Sequence, residues 1–305
     1  MITYLSSDDS LKLQQQSGDD LTNVWVRVER PTEDERSLLV DMGVDEDILH
    51  DSLDPHEVPR LEIEQNWAYF ITRVPDIGDE FNDFTTPMLF AFNGQQYVTV
   101  SRDSLGRLWQ PFIDRTAVSS KRQKQMFLLM IDEIARSYQN RVAHINRQMR
   151  AVTHNITSLR PKQIATIVEY ERKLNDYLDA LLPTNVALEK LLGNKGLKFR
   201  EDDLEEIEDL SVDLEQVIAR CKALLRTIQN VRDSYRAVMD TRLNETMRIL
   251  TLVTVMLTIP TMLAGLLGMN VKLPFDAESD WVFWEIVAVS LLAAVAVNMY
   301  FNRKR

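Results

Sequence analysis

Small and oxygen-bearing side chains recur between residues 244 and 268 at alternating steps of three and four, which places them on one face of a helix. We call this set the polar stripe; its members are Asn244, Met247, Thr251, Thr254, Thr258, Thr261, Gly265 and Gly268. Two explanations fit the pattern. Small residues let membrane helices approach one another closely. Alternatively, the hydroxyl and amide oxygens line a water-filled pore in a symmetric ring of chains.

One apolar pair favours the pore. Met247 lies beside Leu250 at the N-terminal end of the polar stripe. Apolar rings in a polar pathway can gate it by dewetting. The stripe leads to the tripeptide Gly268-Met269-Asn270, whose glycine lets the backbone turn and approach closely. We therefore interpret the stripe as a pore lining with a hydrophobic constriction at one end.

Two apolar segments near the C-terminus must hold these residues. No charged residue occurs from Ile249 to Leu267, and Trp281–Asn302 contains one charge, Glu285. About 20 apolar residues are needed to cross a hydrocarbon core of about 30 Å. Both segments are therefore predicted to span a membrane, although a buried helical hairpin in a soluble core would show the same pattern.

Charged residues beside the two segments predict their orientation. Arg242 and Arg248 precede the first, whereas the connecting loop, 271–280, carries more acidic than basic residues. Arg303, Lys304 and Arg305 follow the second segment. Because basic residues stay on the cytoplasmic side, both termini are expected in the cytoplasm and the loop outside.

The rest of the chain predicts an α+β cytoplasmic domain followed by long helices and two C-terminal transmembrane helices. Strand-like runs and the turn Asn93-Gly94 occur before residue 115, and helical periodicity follows, with helices expected at about 121–158, 161–191 and 202–268. The predicted segments are an α/β domain (1–115), a helical hairpin (116–200), a stalk helix (201–248), a pore-lining helix (249–270), an extracytoplasmic loop (271–280), an outer transmembrane helix (281–302) and a basic tail (303–305).

The predicted stalk carries a second repeating pattern, which we call the apolar seam. Its members are Ile207, Leu210, Leu214, Val217, Cys221, Leu224, Ile228, Val231, Tyr235 and Val238. Alternating steps of three and four are typical of coiled coils. Such a seam needs a partner, which oligomerisation would supply most simply and which the neighbouring helices, 121–191, could supply in part.

Composition excludes several functions. The net charge of -11 argues against a nucleic-acid partner and is suited to raising the cation concentration near the protein. The lone cysteine, Cys221, excludes an internal disulfide and a thiolate zinc cluster. No phosphate-binding loop, dinucleotide fingerprint, nucleophile elbow or zinc motif is present, so neither an enzyme nor an organic cofactor is expected.

These features resemble the CorA family of divalent-cation channels. The resemblance is carried by Gly268-Met269-Asn270 at the end of the first span, by Asn244-Glu245-Thr246-Met247, by Leu250-Thr251 and by Arg232-Asp233. It continues more weakly through Gly43–Leu53, Arg60 and Ala68–Thr72. It implies a funnel-shaped homopentamer in the cell (inner) membrane. Each chain would contribute one pore-lining helix, and the second spans would form an outer ring against the lipid bilayer.

The resemblance also implies roles for individual residues. Gly268, Met269 and Asn270 would form the selectivity filter, with Asn270 capturing hydrated magnesium. Thr261 and Gly265 would line the pore below it, and Met247 and Leu250 would be the gate. Asn244, Thr254 and Thr258 belong to the same lining through the polar stripe. Because Mg²⁺ loses water reluctantly, neutral oxygen acceptors would contact its hydration shell and still release it.

Regulation by cytoplasmic magnesium is a further expectation from the resemblance. Asp51 and Asp233 are the best matches for carboxylates that bind Mg²⁺ between subunits. Bound ion would neutralise them and hold the ring closed, and its loss would leave repulsion that loosens the ring.

Two other functions remain open. A zinc transporter of the related ZntB type, with or without proton coupling, is suggested by departures from the family pattern at Leu267, at Lys272 and in Leu273-Pro274-Phe275-Asp276. The second alternative is a membrane-anchored coiled-coil assembly that conducts no ions. The intact Met269 favours magnesium.

Overall fold

The computed structural model divides the chain into two compact units, Met1–Val231 and Arg232–Arg305. The seven-segment division predicted from the sequence is finer and stays a prediction. The structure describes residues 1–7, 12–15, 23–64, 66–75, 84–115, 119–120, 122–153, 159–193, 197, 199–269 and 280–303.

A mixed sheet organises the first unit. Within the described residues it has seven strands in the order β2-β1-β3-β7-β6-β5-β4. All neighbours are antiparallel except β3 and β7, which are parallel. The strands are β1 (Ile2–Ser7), β2 (Leu13–Gln15), β3 (Trp25–Glu29), β4 (Arg60–Glu64), β5 (Trp67–Pro75), β6 (Thr85–Phe92) and β7 (Tyr97–Ser101).

Helices cover both faces of this sheet. On one face, Trp67, Tyr69 and Ile71 share an apolar cluster with residues of the short helices α1 (Glu33–Asp41) and α2 (Glu46–Asp51). On the other, Phe70 and Phe90 meet the ring of Phe127 at 5.1 and 5.3 Å. Successive side chains of a strand point to opposite faces. Because both faces are covered, every residue of β5 is buried.

The long helices follow the sheet. They are α3 (Gly106–Arg115), α4 (Gln123–Thr153), α5 (Pro161–Gly193), α6 (Glu201–Leu267) and α7 (Asp280–Arg303). The three long helices predicted between residues 121 and 268 are confirmed. The Asn93-Gly94 hairpin is confirmed too: it joins β6 to β7, and Gly94 has a φ of +89°. A positive φ is accessible to glycine without steric cost.

The apolar seam is buried within a single chain over most of its length. Its first eight members, from Ile207 to Val231, are all buried in the first unit. A hydrogen bond of 2.9 Å from Ser211 Oγ to Asn185 Oδ1 of α5 accompanies this burial. A single chain therefore buries this stretch, and oligomerisation is not needed to cover it.

Candidate functional site

The polar stripe lies on the exposed surface of α6 in the second unit. Met247 and Leu250 are 54% and 59% exposed, and Gly265 and Gly268 are exposed as well. Intervening apolar residues such as Leu257 are also exposed. A helix that exposes both an apolar surface and a polar row needs two environments, one apolar and one aqueous.

The threonine hydroxyls of the stripe all bond in the same way. Each donates its proton to the backbone carbonyl four residues earlier: Thr251 to Met247 at 2.8 Å, Thr254 to Leu250 at 2.9 Å, Thr258 to Thr254 at 2.7 Å, and Thr261 to Leu257 at 2.8 Å. The proton of each hydroxyl is thus used inside the helix. The oxygen retains lone pairs as an acceptor. The stripe is therefore a row of hydrogen-bond acceptors.

An acceptor row suits one kind of ligand. The water molecules around a cation direct their oxygens toward the ion and their protons outward. Acceptors can therefore hold a hydrated cation without removing its water, which Mg²⁺ gives up reluctantly. Neutral hydroxyls also add no fixed charge that would retain the ion.

Helix α6 ends at Leu267, directly before the predicted selectivity filter. The Gly268 N–H donates to the Ala264 carbonyl at 2.9 Å, and that of Met269 to Leu266 at 3.4 Å. A side-chain carbon added at Gly268 would lie 3.2 Å from the Ala264 oxygen, so a larger residue would crowd this last turn. Asn270, the third residue of the predicted filter, lies outside the described residues.

Asp51 is placed by a short local structure. Helix α2 begins after Asp45, whose carboxylate accepts a hydrogen bond from the Ile48 N–H at 3.0 Å, and it ends at Asp51. There the Asp51 carboxylate accepts a hydrogen bond of 2.8 Å from Arg60 Nη2. Arg60 also forms ion pairs with Glu57 and Glu62.

The three carboxylates hold Arg60 firmly in its charged form. Burial lowers the pKa of Arg60, but hydrogen bonds to Glu62 and Asp51 outweigh it, and the pKa is raised. This role of Arg60 has no signal in the sequence, because an ion pair between residues nine positions apart leaves no periodic pattern.

Asp233 belongs to the second unit, where it is exposed. Its carboxylate lies 3.7 Å from Arg236 Nη1, one turn along the same helix. Among the described residues, no group of three or more His, Cys, Asp or Glu side chains is arranged to hold a metal ion within one chain.

Helix α6 is long and apolar enough to cross a membrane, and the described part of α7 holds a shorter apolar stretch, Phe283–Val297. The CorA-like Mg²⁺ transporter protein family model matches residues 20–304. The chain belongs to this family. Its membership confirms the resemblance inferred from the Gly-Met-Asn tripeptide and the two spans. Since the family is one of ion transporters, the chain is not an enzyme.

Relatives and solved structures agree with this assignment. The cobalt/magnesium transport protein CorA of Methanocaldococcus jannaschii is 24% identical over 322 residues, covering 100% of this chain and 99% of the relative. The complete structure of the magnesium transporter from that organism matches with a TM-score of 0.83 at 20% identity, covering 100% of this chain and 98% of the other. The predicted α+β architecture with long helices is thereby confirmed.

A more distant likeness concerns the alternative family branch. The ZntB cytoplasmic domain from Vibrio parahaemolyticus matches with a TM-score of 0.64 at 12% identity, covering 78% of this chain and 98% of that domain. At this identity the likeness shows a shared fold and does not distinguish zinc from magnesium.

Proposed function

We propose that the chain forms a magnesium channel, a homopentamer whose five α6 helices surround the pore with their polar stripes. The observation that carries this proposal is the exposed row of acceptors, in which each threonine hydroxyl has given its proton to its own helix. Membership of a Mg²⁺ transporter family supports the choice of ion.

The proposed pathway has three parts. Gly268, Met269 and Asn270 form the outer filter, where carbonyl and amide oxygens receive the hydrated ion. Asn244, Thr254, Thr258, Thr261 and Gly265 line the pathway toward the cytoplasm. Met247 and Leu250 form the gate, because an apolar ring empties of water when it narrows.

Flux into liposomes tests this proposal. Purified protein is reconstituted, and Mg²⁺ and Zn²⁺ uptake are measured with and without a pH gradient. We expect Mg²⁺ uptake that needs no gradient and is abolished by Asn270→Ala. Asn230→Ala is the matched control, because Asn230 is exposed on α6 and lies before the predicted span. Zn²⁺ uptake that depends on the pH gradient would favour the ZntB-like alternative. Uptake of neither ion would favour the non-conducting assembly.

We also propose that both termini lie in the cytoplasm of a cell (inner) membrane, with residues 271–280 outside. The buried Cys221 allows a labelling test. With Cys221 changed to Ala, Ser279→Cys should react with a membrane-impermeant maleimide in intact cells, whereas Thr241→Cys should react only after lysis. The opposite pattern would reverse the orientation.

Regulation is proposed at Asp51 and Asp233, where Mg²⁺ would join carboxylates of neighbouring subunits. The double variant Asp51→Asn/Asp233→Asn should conduct at magnesium concentrations that close the unmodified channel. The exposed residue Asp240, changed to Asn, is the control. Unchanged closure in the double variant would reject this site.

A further inference from the structure

A groove lined by three helices of the first unit, α3, α4 and α5, has a volume of about 670 Å³, which is within the range of small-molecule sites. Helix α4 contributes one continuous row to the lining, at steps of three and four: Glu133, Ser137, Asn140, His144 and Arg147. That spacing places the five side chains on one face of the helix, over about 21 Å. The groove shares no described residue with the polar stripe or with the proposed regulatory pair.

The part of the chain that holds this row is basic, although the whole protein carries a net charge of -11. From residue 134 to residue 168 there are six Arg or Lys residues and no Asp or Glu. Two of the six, Arg141 and Arg147, line the groove. Arg107 of α3 and Lys173 of α5 add two basic groups, and Glu133 is the one acid among the described lining residues. A local excess of positive charge on an acidic protein attracts an anion.

Two arginines of α4 are available to such an anion. Arg141 is half-buried and Arg147 is exposed, and within the described part of the chain neither guanidinium has an ion pair or a hydrogen bond. Lys173, by contrast, is already engaged: its Nζ lies 3.0 Å from Glu169 Oε1 and 5.1 Å from the centre of the Phe84 ring. The planar guanidinium of arginine matches phosphate oxygens and binds them in pairs. Phosphate is therefore the anion that these two residues suit best.

An aromatic wall stands beside these charges. The rings of Tyr138 on α4 and Tyr177 on α5 meet with their centroids 5.2 Å apart. Seven residues closer to the connection between the two helices, Ile145 and Tyr170 both line the groove, and Tyr170 is half-buried. Nucleic-acid bases stack on aromatic side chains of this kind. The groove therefore combines basic groups for phosphate with an aromatic surface for a base.

We propose that this groove binds a nucleoside triphosphate. The phosphate chain accepts hydrogen bonds from Arg141 and Arg147, and the base stacks on Tyr170. The nucleotide binds in its metal-free form, because chelation of Mg²⁺ reduces the negative charge that the arginines attract. Occupancy of the groove should therefore rise as the concentration of Mg²⁺ falls. The site does not depend on the pore, so it can be tested whether or not the chain conducts magnesium.

Calorimetry on the full chain in neutral detergent tests the proposal, with ATP as the probe in a buffer free of divalent cations. We expect one site per chain, competition by tripolyphosphate, binding of adenosine that is weaker by about tenfold or more, and weaker binding of ATP in excess Mg²⁺. No saturable binding at millimolar ATP, equal affinity for adenosine, or ATP binding that Mg²⁺ leaves unchanged or tightens would overturn the proposal. Displacement of ATP by a soluble short-chain phosphatidylglycerol at lower concentrations than by tripolyphosphate would assign the groove to a lipid headgroup and also overturn it.

Variants locate the binding. Arg141→Gln and Arg147→Gln should each weaken ATP binding by about tenfold, because each removes a charge-assisted hydrogen bond. Arg150→Gln removes the same charge from an exposed position of α4 that does not line the groove, and it should change the affinity by less than about twofold. Tyr170→Ala should weaken the binding of ATP and leave that of tripolyphosphate unchanged, while circular dichroism shows an intact fold. Equal losses in Arg147→Gln and Arg150→Gln, or unaltered ATP affinity in Tyr170→Ala, would refute the assignment.

Discussion

The guanidinium of Arg60 lies 2.8 Å from the carboxylate of Asp51 and also pairs with Glu57 and Glu62. Asp51 is thus already paired within its own chain, although one guanidinium is shared by three carboxylates. A magnesium ion that uses Asp51 to close the channel must compete with Arg60. The pair is partly exposed, with side-chain exposures of 28% for Arg60 and 46% for Asp51, so this competition is weak.

The first prediction concerns this competition. In Arg60→Gln, Asp51 is released, and the Mg²⁺ concentration for half-maximal closure should fall by about two- to fivefold, since an exposed ion pair contributes about 0–1 kcal/mol. Flux recorded across a series of internal Mg²⁺ concentrations gives this half-closing concentration. Arg136→Gln breaks a comparable pair with Asp132 on α4 and is the control. A higher half-closing concentration in Arg60→Gln would argue against Asp51 as a magnesium ligand.

A second prediction concerns the acceptor row. Thr258→Val keeps the side-chain shape but removes the oxygen, so a ring of acceptors is lost. We expect Mg²⁺ flux to fall by about tenfold or more, because each lost acceptor is worth about 0.5–1.5 kcal/mol. Thr258→Ser should restore most of the flux.

The matched control for this test lies off the polar stripe. The hydroxyl of Thr246 makes the same backbone hydrogen bond, to the carbonyl of Arg242 at 2.9 Å. Thr246→Val should therefore leave flux near the unmodified level. Equal losses at both positions would show that the helix, and not the pore lining, had been disturbed.

The third prediction concerns the apolar seam. Leu214 is 1% exposed, whereas Val212, two positions away on the same helix, is 51% exposed. Leu214→Ala should lower the free energy of unfolding by about 2–5 kcal/mol, and Val212→Ala should change it by less than about 0.5 kcal/mol. Denaturant unfolding in detergent measures both. A loss in Leu214→Ala that disappears at high protein concentration would instead place the seam at an interface between chains.

The fourth prediction concerns pH. Burial raises the pKa of Cys221 from about 9 to about 12. The folded state therefore keeps the proton while the unfolded state loses it, so stability is complete below about pH 9 and declines above it. Between about pH 9 and 10, before tyrosines ionise, the free energy of unfolding should fall by up to about 1.4 kcal/mol.

Unfolding followed by tryptophan fluorescence at several pH values checks this dependence. Cys221→Ala removes the titrating thiol and should flatten the decline in that window. The folded protein should also resist maleimide at pH 8 and react once unfolded. Rapid labelling of the native protein would contradict the burial of this thiol.

Some elements could be predicted because their signal is local. Neighbouring residues are enough to indicate three features: the apolar length of Ile249–Leu267, the helical periodicity after residue 121 and the Asn93-Gly94 turn. The strand-like runs of the sequence correspond to β3, β5, β6 and β7; strands β1, β2 and β4 and helix α3 were not predicted. Strand β4 lies at the edge of the sheet, and its sequence, Arg-Leu-Glu-Ile-Glu, lacks the apolar run typical of a buried strand. Helix α3 contains Pro111, which obscures its pattern.

The amino-acid sequence is enough to identify the family, the two apolar segments, the acceptor types along the polar stripe and the existence of the apolar seam, because composition and spacing are properties of the chain alone. Three features follow only from the folded chain: the burial of the seam within one chain, the pairing of Arg60 with Asp51, and the burial of Gln123 beside Gly94. These features depend on residues brought together from distant positions: Asn185 meets Ser211, and Gly94 meets Gln123. No local sequence pattern predicts these contacts, because they form only when the helices and the sheet pack against one another.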